Sequence, residues 1–279
     1  MTIRRRLDAE MVRRGVVPSR EAARRAIVAG QVLVDGSFAD KPARMVDGAQ
    51  SITLAGPPPQ FVGRGGEKLA GALEAFGIDP DGLRCLDAGS STGGFTDCLL
   101  QHGADWVLAV DVGTNQLHEK LRADPRVEVR ERTDVRSLTM ADVGGEPVDL
   151  VVGDLSFISL RLVLPAITPL VSDHGAMVLL VKPQFEAGKD EASRGRGVIT
   201  DPAIWRRTLG EVVRAATDLG IGLAGVVPSP ITGSAGNVEF VAWLRPGRPS
   251  MPGSEEALDA VVSAVEARSA ASDAAGAGA

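Results

Sequence analysis

Four charged residues stand near expected strand ends or the proline linker: Lys68, Asp154, Lys182 and Glu239. Lys182, followed by Pro183, closes the apolar run Met177 to Val181. Asp154 follows the run Val148 to Val152, and Glu239 sits in the run Val238 to Leu244 with apolar neighbours on both sides. Charges beside buried strands are costly unless paired. Two lysines and two carboxylates therefore form either a structural ion-pair network or a reaction centre.

A second group of residues suggests a ligand. The segment Leu86-Asp87-Ala88-Gly89-Ser90-Ser91-Thr92-Gly93-Gly94-Phe95 falls where a strand should turn into a helix. In an open α/β sheet, ligands bind at the carboxyl ends of the strands, and glycine lets the backbone approach a ligand closely. The spacing Gly-x-x-x-Gly differs from the Gly-x-Gly-x-x-Gly of nicotinamide binding, and no Gly-Lys-Ser/Thr ends it as a phosphate loop would. Asp87, two residues before Gly89, favours a ligand with a positive amino group, such as the methionine part of S-adenosylmethionine. Asp111 lies 24 residues after Asp87 at the end of the next strand, where a carboxylate can accept both ribose hydroxyls of an adenosine. Asp134, after the third strand, can meet the adenine amino group. The expected cofactor contacts are Asp87, Gly89, Ser90, Ser91, Thr92, Gly93, Phe95, Asp111, Val112, Asp134 and Asp154.

The elements that must carry these residues follow from periodicity. Leu69, Ala72, Leu73 and Phe76 recur at helical spacing. Apolar runs then occur at Cys85-Leu86, Trp106 to Val112, Val127 to Val129, Val148 to Val152 and Met177 to Val181, separated mostly by glycine-rich turns or helical stretches. Such alternation predicts a doubly wound, mainly parallel sheet. Strands at Leu223 to Val227 and Val238 to Leu244 bring the sheet to about seven. The fold class is α/β, a Rossmann-like domain over residues 64–245. The tail 246–279 reads as a partly disordered extension, Ala/Gly/Ser-rich and frayed beyond about Ala267.

Residues 1–56 read as a separate α+β unit. Leu7, Met11 and Val12 mark one helix that stops at Gly15. Ser19 can cap a second helix with Ala23 and Ile27 inward, closed by Gly30. Val32 and Val34 alternate as a strand before the turn signal Asp35-Gly36, and Ile52 and Leu54 suggest a last strand. Pro57-Pro58-Pro59 begins a stiff linker over 57–63. The net charge of −6 hides a split: residues 1–70 carry net +5 and the remainder net −11. The basic end is the candidate nucleic-acid surface, through Arg4, Arg5, Arg6, Arg13, Arg14, Arg20, Arg24 and Arg25, with Arg64 beyond the linker. A merely solvated basic face is the alternative.

Four segments carry a resemblance to a known family. Phe61-Val62-Gly63-Arg64-Gly65-Gly66-Glu67-Lys68-Leu69, Asp154-Leu155-Ser156-Phe157-Ile158-Ser159, Lys182-Pro183-Gln184-Phe185-Glu186 and Gly233-Ser234-Ala235-Gly236-Asn237-Val238-Glu239 closely resemble the TlyA (hemolysin A) family. The match covers roughly residues 4–245. The resemblance implies an S4-type RNA-binding domain joined to an FtsJ-like methyltransferase domain. It further implies S-adenosylmethionine as cofactor, 2′-O-methylation of cytidine in 16S or 23S ribosomal RNA within ribosomal subunits, and a Lys-Asp-Lys-Glu tetrad. By position that tetrad falls on Lys68, Asp154, Lys182 and Glu239. Here Gln60-Phe61-Val62 follows Pro59 where the family's linker often has Arg and Trp before the Val. A ribose hydroxyl must lose its proton as the methyl moves. Lys182 is then base or electrostatic stabiliser, Asp154 and Glu239 orient, and Lys68 is a second cation near the substrate.

Rival classes have their own signatures. A base-amino methyltransferase usually shows Asn/Asp-Pro-Pro-aromatic after the fourth strand, and Asp154-Leu155-Ser156-Phe157 lacks both prolines. A carbon-5 methyltransferase needs a cysteine near the reaction centre, whereas Cys85 and Cys98 read as core. A pseudouridine synthase would need a mostly antiparallel β domain. A non-enzymatic rRNA-binding or assembly factor remains open, and a pore-forming haemolysin is suggested only by the family's older name. The two cysteines form no Cys-x-x-Cys pair, so no metal is expected, and their scarcity fits a reducing cytoplasm. No signal peptide or membrane span is expected, and the chain is expected to act as a monomer.

Overall fold

The computed structural model describes residues 4–28, 30–55, 60–188, 191, 193, 195, 197–233 and 235–276. The chain divides into two compact units, 1–60 and 61–279. Residues 57–59 of the expected linker lie outside the described residues, as does Ser234. Phe61, at the other end of that linker, is buried within the second unit.

In the first unit β1 (Arg5–Arg6) leads into α1 (Leu7–Arg13) and α2 (Arg20–Val28). These are followed by β2 (Val32–Val34), β3 (Ser37–Phe38), β4 (Met45–Val46) and β5 (Ile52–Leu54). β2 is the centre of a three-stranded antiparallel sheet between β3 and β5, and β1 pairs with β4. Asp35 and Gly36, at φ 53° and 78°, form the tight turn between β2 and β3, because two left-handed residues match the strand twist. Ser19 Oγ accepts the amide of Ala22 at the start of α2. Leu7, Met11, Ala23, Ile27, Val32 and Val34 close the core.

Two acidic residues of α1, Asp8 and Glu10, are buried, and they capture most of the arginines expected to face RNA. Asp8 accepts Arg6 through both oxygens and Arg20 through one, with Arg24 within ion-pair reach. Glu10 accepts Arg13 and Arg14. Arg14 also donates to the carbonyls of Asp47 and Gln50, so its guanidinium is spent on the fold. Arg25 pairs with exposed Glu21. Hydrogen bonding from Arg6 holds the Asp8 carboxyl down at about 2, and Arg13 does the same for Glu10, also to about 2. Both groups bind protons more weakly folded than unfolded. Their stabilisation is therefore complete above the unfolded carboxyl range and is lost as pH falls toward about 2. The amide resonances of α1, followed in the full chain, should keep their dispersion down to about pH 5 and lose it below about pH 4.

In the second unit α3 (Gly65–Phe76) precedes β6 (Arg84–Ala88), α4 (Gly94–Gln101), β7 (Trp106–Val110), α5 (Glu119–Arg122), β8 (Val127–Arg130) and β9 (Val148–Gly153). Then come α6 (Leu160–Ile167), β10 (Val171–Val181), α7 (Pro183–Glu186), α8 (Pro202–Asp218), β11 (Ile221–Pro228), β12 (Phe240–Pro246) and α9 (Ser254–Gly276). The seven strands run in the order β11-β12-β10-β9-β6-β7-β8. All are parallel except β12, which is antiparallel to both its neighbours. Alternate residues of each strand face opposite ways. Thus Leu86, Leu108, Val151 and Leu179 enter one core with α6, α8 and α9, while Cys85, Val107, Val152 and Val178 enter the other with α3 and α4. Burial on both faces explains why these strands read as unbroken apolar runs.

The tail departs from expectation. Residues 254–276 form a helix, and Leu258, Val261, Val262 and Val265 bury one stripe of it against the sheet's core. Their spacing is helical, although the Ala/Ser-rich background suggests a frayed end. Among the described residues no helix is long and apolar enough to cross a membrane.

Candidate active site

The parallel strands deliver the candidate residues to one edge. β6 ends at Ala88 and opens into the loop from Gly89 to Gly93, and β7 ends one residue before Asp111. β9 ends at Gly153, followed by Asp154; β10 ends at Val181, followed by Lys182. Glu239 precedes β12, and because β12 runs antiparallel its beginning lies at that same edge. Lys68 comes from the first turn of α3.

These four charges form one chain of contacts. Lys68 Nζ lies 2.6 Å from Glu239 Oε2 and 3.5 Å from Asp154 Oδ2. Lys182 Nζ lies 2.5 Å from Asp154 Oδ1 and 3.0 Å from Ser156 Oγ. Lys68, Lys182 and Glu239 are all buried. The ion pairing expected of a structural network is present, yet the group also lines an open cleft. That cleft is walled by Arg64, Gly89, Ser90, Ser91, Thr92 and Phe95 together with Lys68, Asp154, Ser156, Lys182 and Glu239. A purely structural network has no need of a cavity beside it.

A larger cavity of about 1070 Å³ continues from Gly89, Ser91 and Asp154 past Val110, Asp111, Val112, Asp134, Val135 and Leu155. Val112 is 71% exposed, an apolar surface beside the Asp111 carboxylate. Asp111 accepts the amides of Ser91 and Gly113, which fixes its carboxylate against the glycine loop. Asp134 accepts the amide and guanidinium of Arg136, which hold its carboxyl below the usual range. A methionine-bearing nucleoside fits this cavity chemically. The cavity offers the carboxylates of Asp111 and Asp134 and the apolar side chains of Val110, Val112, Val135 and Leu155, and at Gly89 a Cβ would come within 3.1 Å of both the Asp154 carbonyl and Leu155 Cδ2.

Two expected contacts are placed elsewhere. Asp87 is wholly buried beneath the loop, where its Oδ2 accepts the Thr96 hydroxyl at 2.6 Å and its Oδ1 has no partner. Burial pushes its carboxyl up to about 7. It lines neither cavity, because strand parity turns it, like Cys85, toward α4. Gly93, at φ 99°, backs onto Leu117 and Leu121 and not onto ligand space. The cysteines behave as core: burial raises both thiols to about 12, which leaves no activated sulfur for carbon-5 chemistry.

Three residues gain importance that sequence reasoning did not assign. Ser156 holds Lys182 across 26 positions. Glu186 is buried and accepts the Ser159 hydroxyl and the Leu160 amide, so it ties the segment after β10 to the segment after β9. Phe157 is 92% exposed at φ 65°, with its ring 5.2 Å from that of Phe185. An exposed aromatic in a left-handed conformation is uncommon.

Comparison with known proteins agrees with this geometry. A family model described as FtsJ-like methyltransferase matches residues 61–246, and one described as S4 domain matches residues 5–52. The 16S/23S rRNA (cytidine-2′-O)-methyltransferase TlyA of Mycobacterium tuberculosis is 51% identical over 246 residues, covering 88% of this chain and 91% of that protein. The 23S rRNA (cytidine-2′-O)-methyltransferase TlyA of Campylobacter jejuni is 38% identical over 180 residues, covering 64% of this chain and 69% of that protein. A solved structure of a candidate hemolysin from Streptococcus thermophilus is 37% identical with a TM-score of 0.75, covering 98% of this chain and 99% of that one. The chain belongs to the FtsJ-like methyltransferase family, with an S4 domain ahead of the methyltransferase domain.

Proposed function

We propose that the chain transfers a methyl group from S-adenosylmethionine to the 2′-hydroxyl of a cytidine in ribosomal RNA, in 16S, 23S or both. The observation that carries this reading is the contact of Lys182 Nζ with Asp154 and Ser156 at the point where the tetrad cleft meets the adenosine-sized cavity. S-adenosylmethionine supplies an electrophilic methyl on a sulfonium. Asp111 would hold its ribose and Asp134 its adenine amino group, beside the backbone from Gly89 to Thr92. The pair of buried Lys182 and partly exposed Asp154 receives the ribose hydroxyl: the ammonium stabilises negative charge growing on the 2′-oxygen, and the Asp154 carboxylate takes up the released proton as the methyl leaves the sulfur. Lys68, held by Glu239, fixes the far oxygen of Asp154, so that the acceptor is oriented before substrate arrives. A ribosomal substrate puts this work in the cytoplasm, and one chain contains every residue named.

Two outcomes test the assignment. Asp111→Ala should weaken S-adenosylmethionine binding by about tenfold or more, as loss of hydrogen bonds to a charged acceptor does. Calorimetry showing wild-type affinity would place the adenosine elsewhere. Phe157→Ala should raise KM for ribosomal subunits several-fold, because an exposed ring offers a stacking face to a base, and should leave cofactor affinity unchanged. A normal KM would remove Phe157 from the substrate site.

A further inference from the structure

The buried carboxylate of Asp8 gathers three arginines. Its side chain has 0% exposure, so it cannot touch a ligand itself. Arg6 Nε and Nη2 each donate to it at 3.0 Å, Arg20 Nη2 at 3.2 Å, and Arg24 Nε stands 3.8 Å away. One arginine would neutralise the charge. Three around one carboxylate leave two positive charges in excess, and their mutual repulsion gives the fold nothing. The three side chains are 42%, 59% and 63% exposed, and each guanidinium carries five N–H groups, of which Asp8 engages two at most. The unused donors face solvent from β1 and from successive turns of α2. Glu10 gathers arginines in the same way, but Arg14 there is consumed by backbone carbonyls. The Asp8 cluster is the open one.

We infer that Asp8 is a positioning residue for RNA recognition: it holds Arg6, Arg20 and Arg24 as a preformed fork for phosphates. The inference rests on the reading that this unit delivers the chain to ribosomal RNA. Phosphate recognition by arginine depends on planar, directed donors and not on charge alone. Ordering three long side chains before contact removes that entropic cost from the binding step.

The sign of one substitution separates positioning from simple charge. Asp8→Asn in the full chain adds one positive charge. A purely electrostatic surface would then bind purified ribosomal subunits more tightly, with a steeper dependence on salt. Positioning requires the opposite, a loss of about tenfold or more. Asp40→Asn makes the same charge change at an exposed residue of this unit and should bind equally well or better. Arg20→Lys with Arg24→Lys keeps the charge on exposed side chains and should also lose about tenfold, which keeps the test open if Asp8→Asn fails to fold. A folded Asp8→Asn protein, or the lysine pair, binding like wild type would overturn the inference. The triple change of Arg6, Arg20 and Arg24 to Gln tests the underlying reading separately. If it leaves binding intact, the unit does not deliver the chain to RNA; if it weakens binding while Asp8→Asn does not, only the positioning role fails.

Discussion

Lys182→Ala should lower methyl transfer by about 10²- to 10⁴-fold, the range of a positioned proton-handling group, while affinity for S-adenosylmethionine stays within a few-fold of wild type. The fold should tolerate the change. Asp154 keeps a second cation, because Lys68 Nζ remains 3.5 Å from its other oxygen, so its carboxylate is not left without a partner. The alanine also leaves untouched Asp111 and the loop from Gly89 to Thr92, the proposed cofactor contacts. If Lys182 served only to balance charge, the variant would lose stability in place of turnover. Single-turnover kinetics and thermal melting on the same preparation distinguish the two, and a folded variant with near-normal turnover would exclude a catalytic role.

Gly93→Asp should destabilise the second unit by about 4 kcal/mol or more, the range reached when a charge is forced into a packed apolar site. A Cβ at this position would stand 2.2 Å from Leu121 Cδ1 and 2.8 Å from Leu117 Cδ1 on a backbone at φ 99°. Both leucines are buried. The carboxylate would have no hydrogen-bond donor and no water. The effect should therefore appear as a melting temperature lower by about 10 °C, or as failure to accumulate soluble protein. Gly89→Ala is the informative contrast. Its Cβ meets the Asp154 carbonyl and Leu155 at 3.1 Å, so it should cost less stability and more cofactor affinity. A Gly93→Asp protein that melts normally yet fails to bind cofactor would return Gly93 to the ligand side of the loop.

The residues legible in the sequence were those whose position follows from strand ends. Asp111 lies in an apolar run, Asp154 and Lys182 just beyond one, and each stands one residue past the end of a strand; parallel strands carry such residues to a common edge. Glu239 was legible as a charge among apolar neighbours. That it reaches the same edge depends on β12 running backwards, which the mainly parallel pattern does not reveal. Asp87 misled because its separation from the loop suits a ligand, while strand alternation turns its side chain inward. Gly93 misled in the same way, since a glycine demanded by φ and by packing looks like a glycine demanded by a ligand. Ser156, Glu186 and the Asp8 cluster act through contacts across many positions, and no local pattern encodes them. The stripe Leu258, Val261, Val262 and Val265 had helical spacing, but the Ala-rich background hid it.

The central claim is the chemistry at Lys182 and Asp154, and mapping the methylated product tests it most directly. Purified ribosomal subunits would be incubated with the full chain and S-adenosylmethionine carrying a labelled methyl group. The RNA would then be digested to nucleosides and the labelled species identified by mass. Label is expected on the ribose of cytidine, as 2′-O-methylcytidine, with the signal lost in Lys182→Ala. Label on a base, or label undiminished in the Lys182 variant, would contradict it.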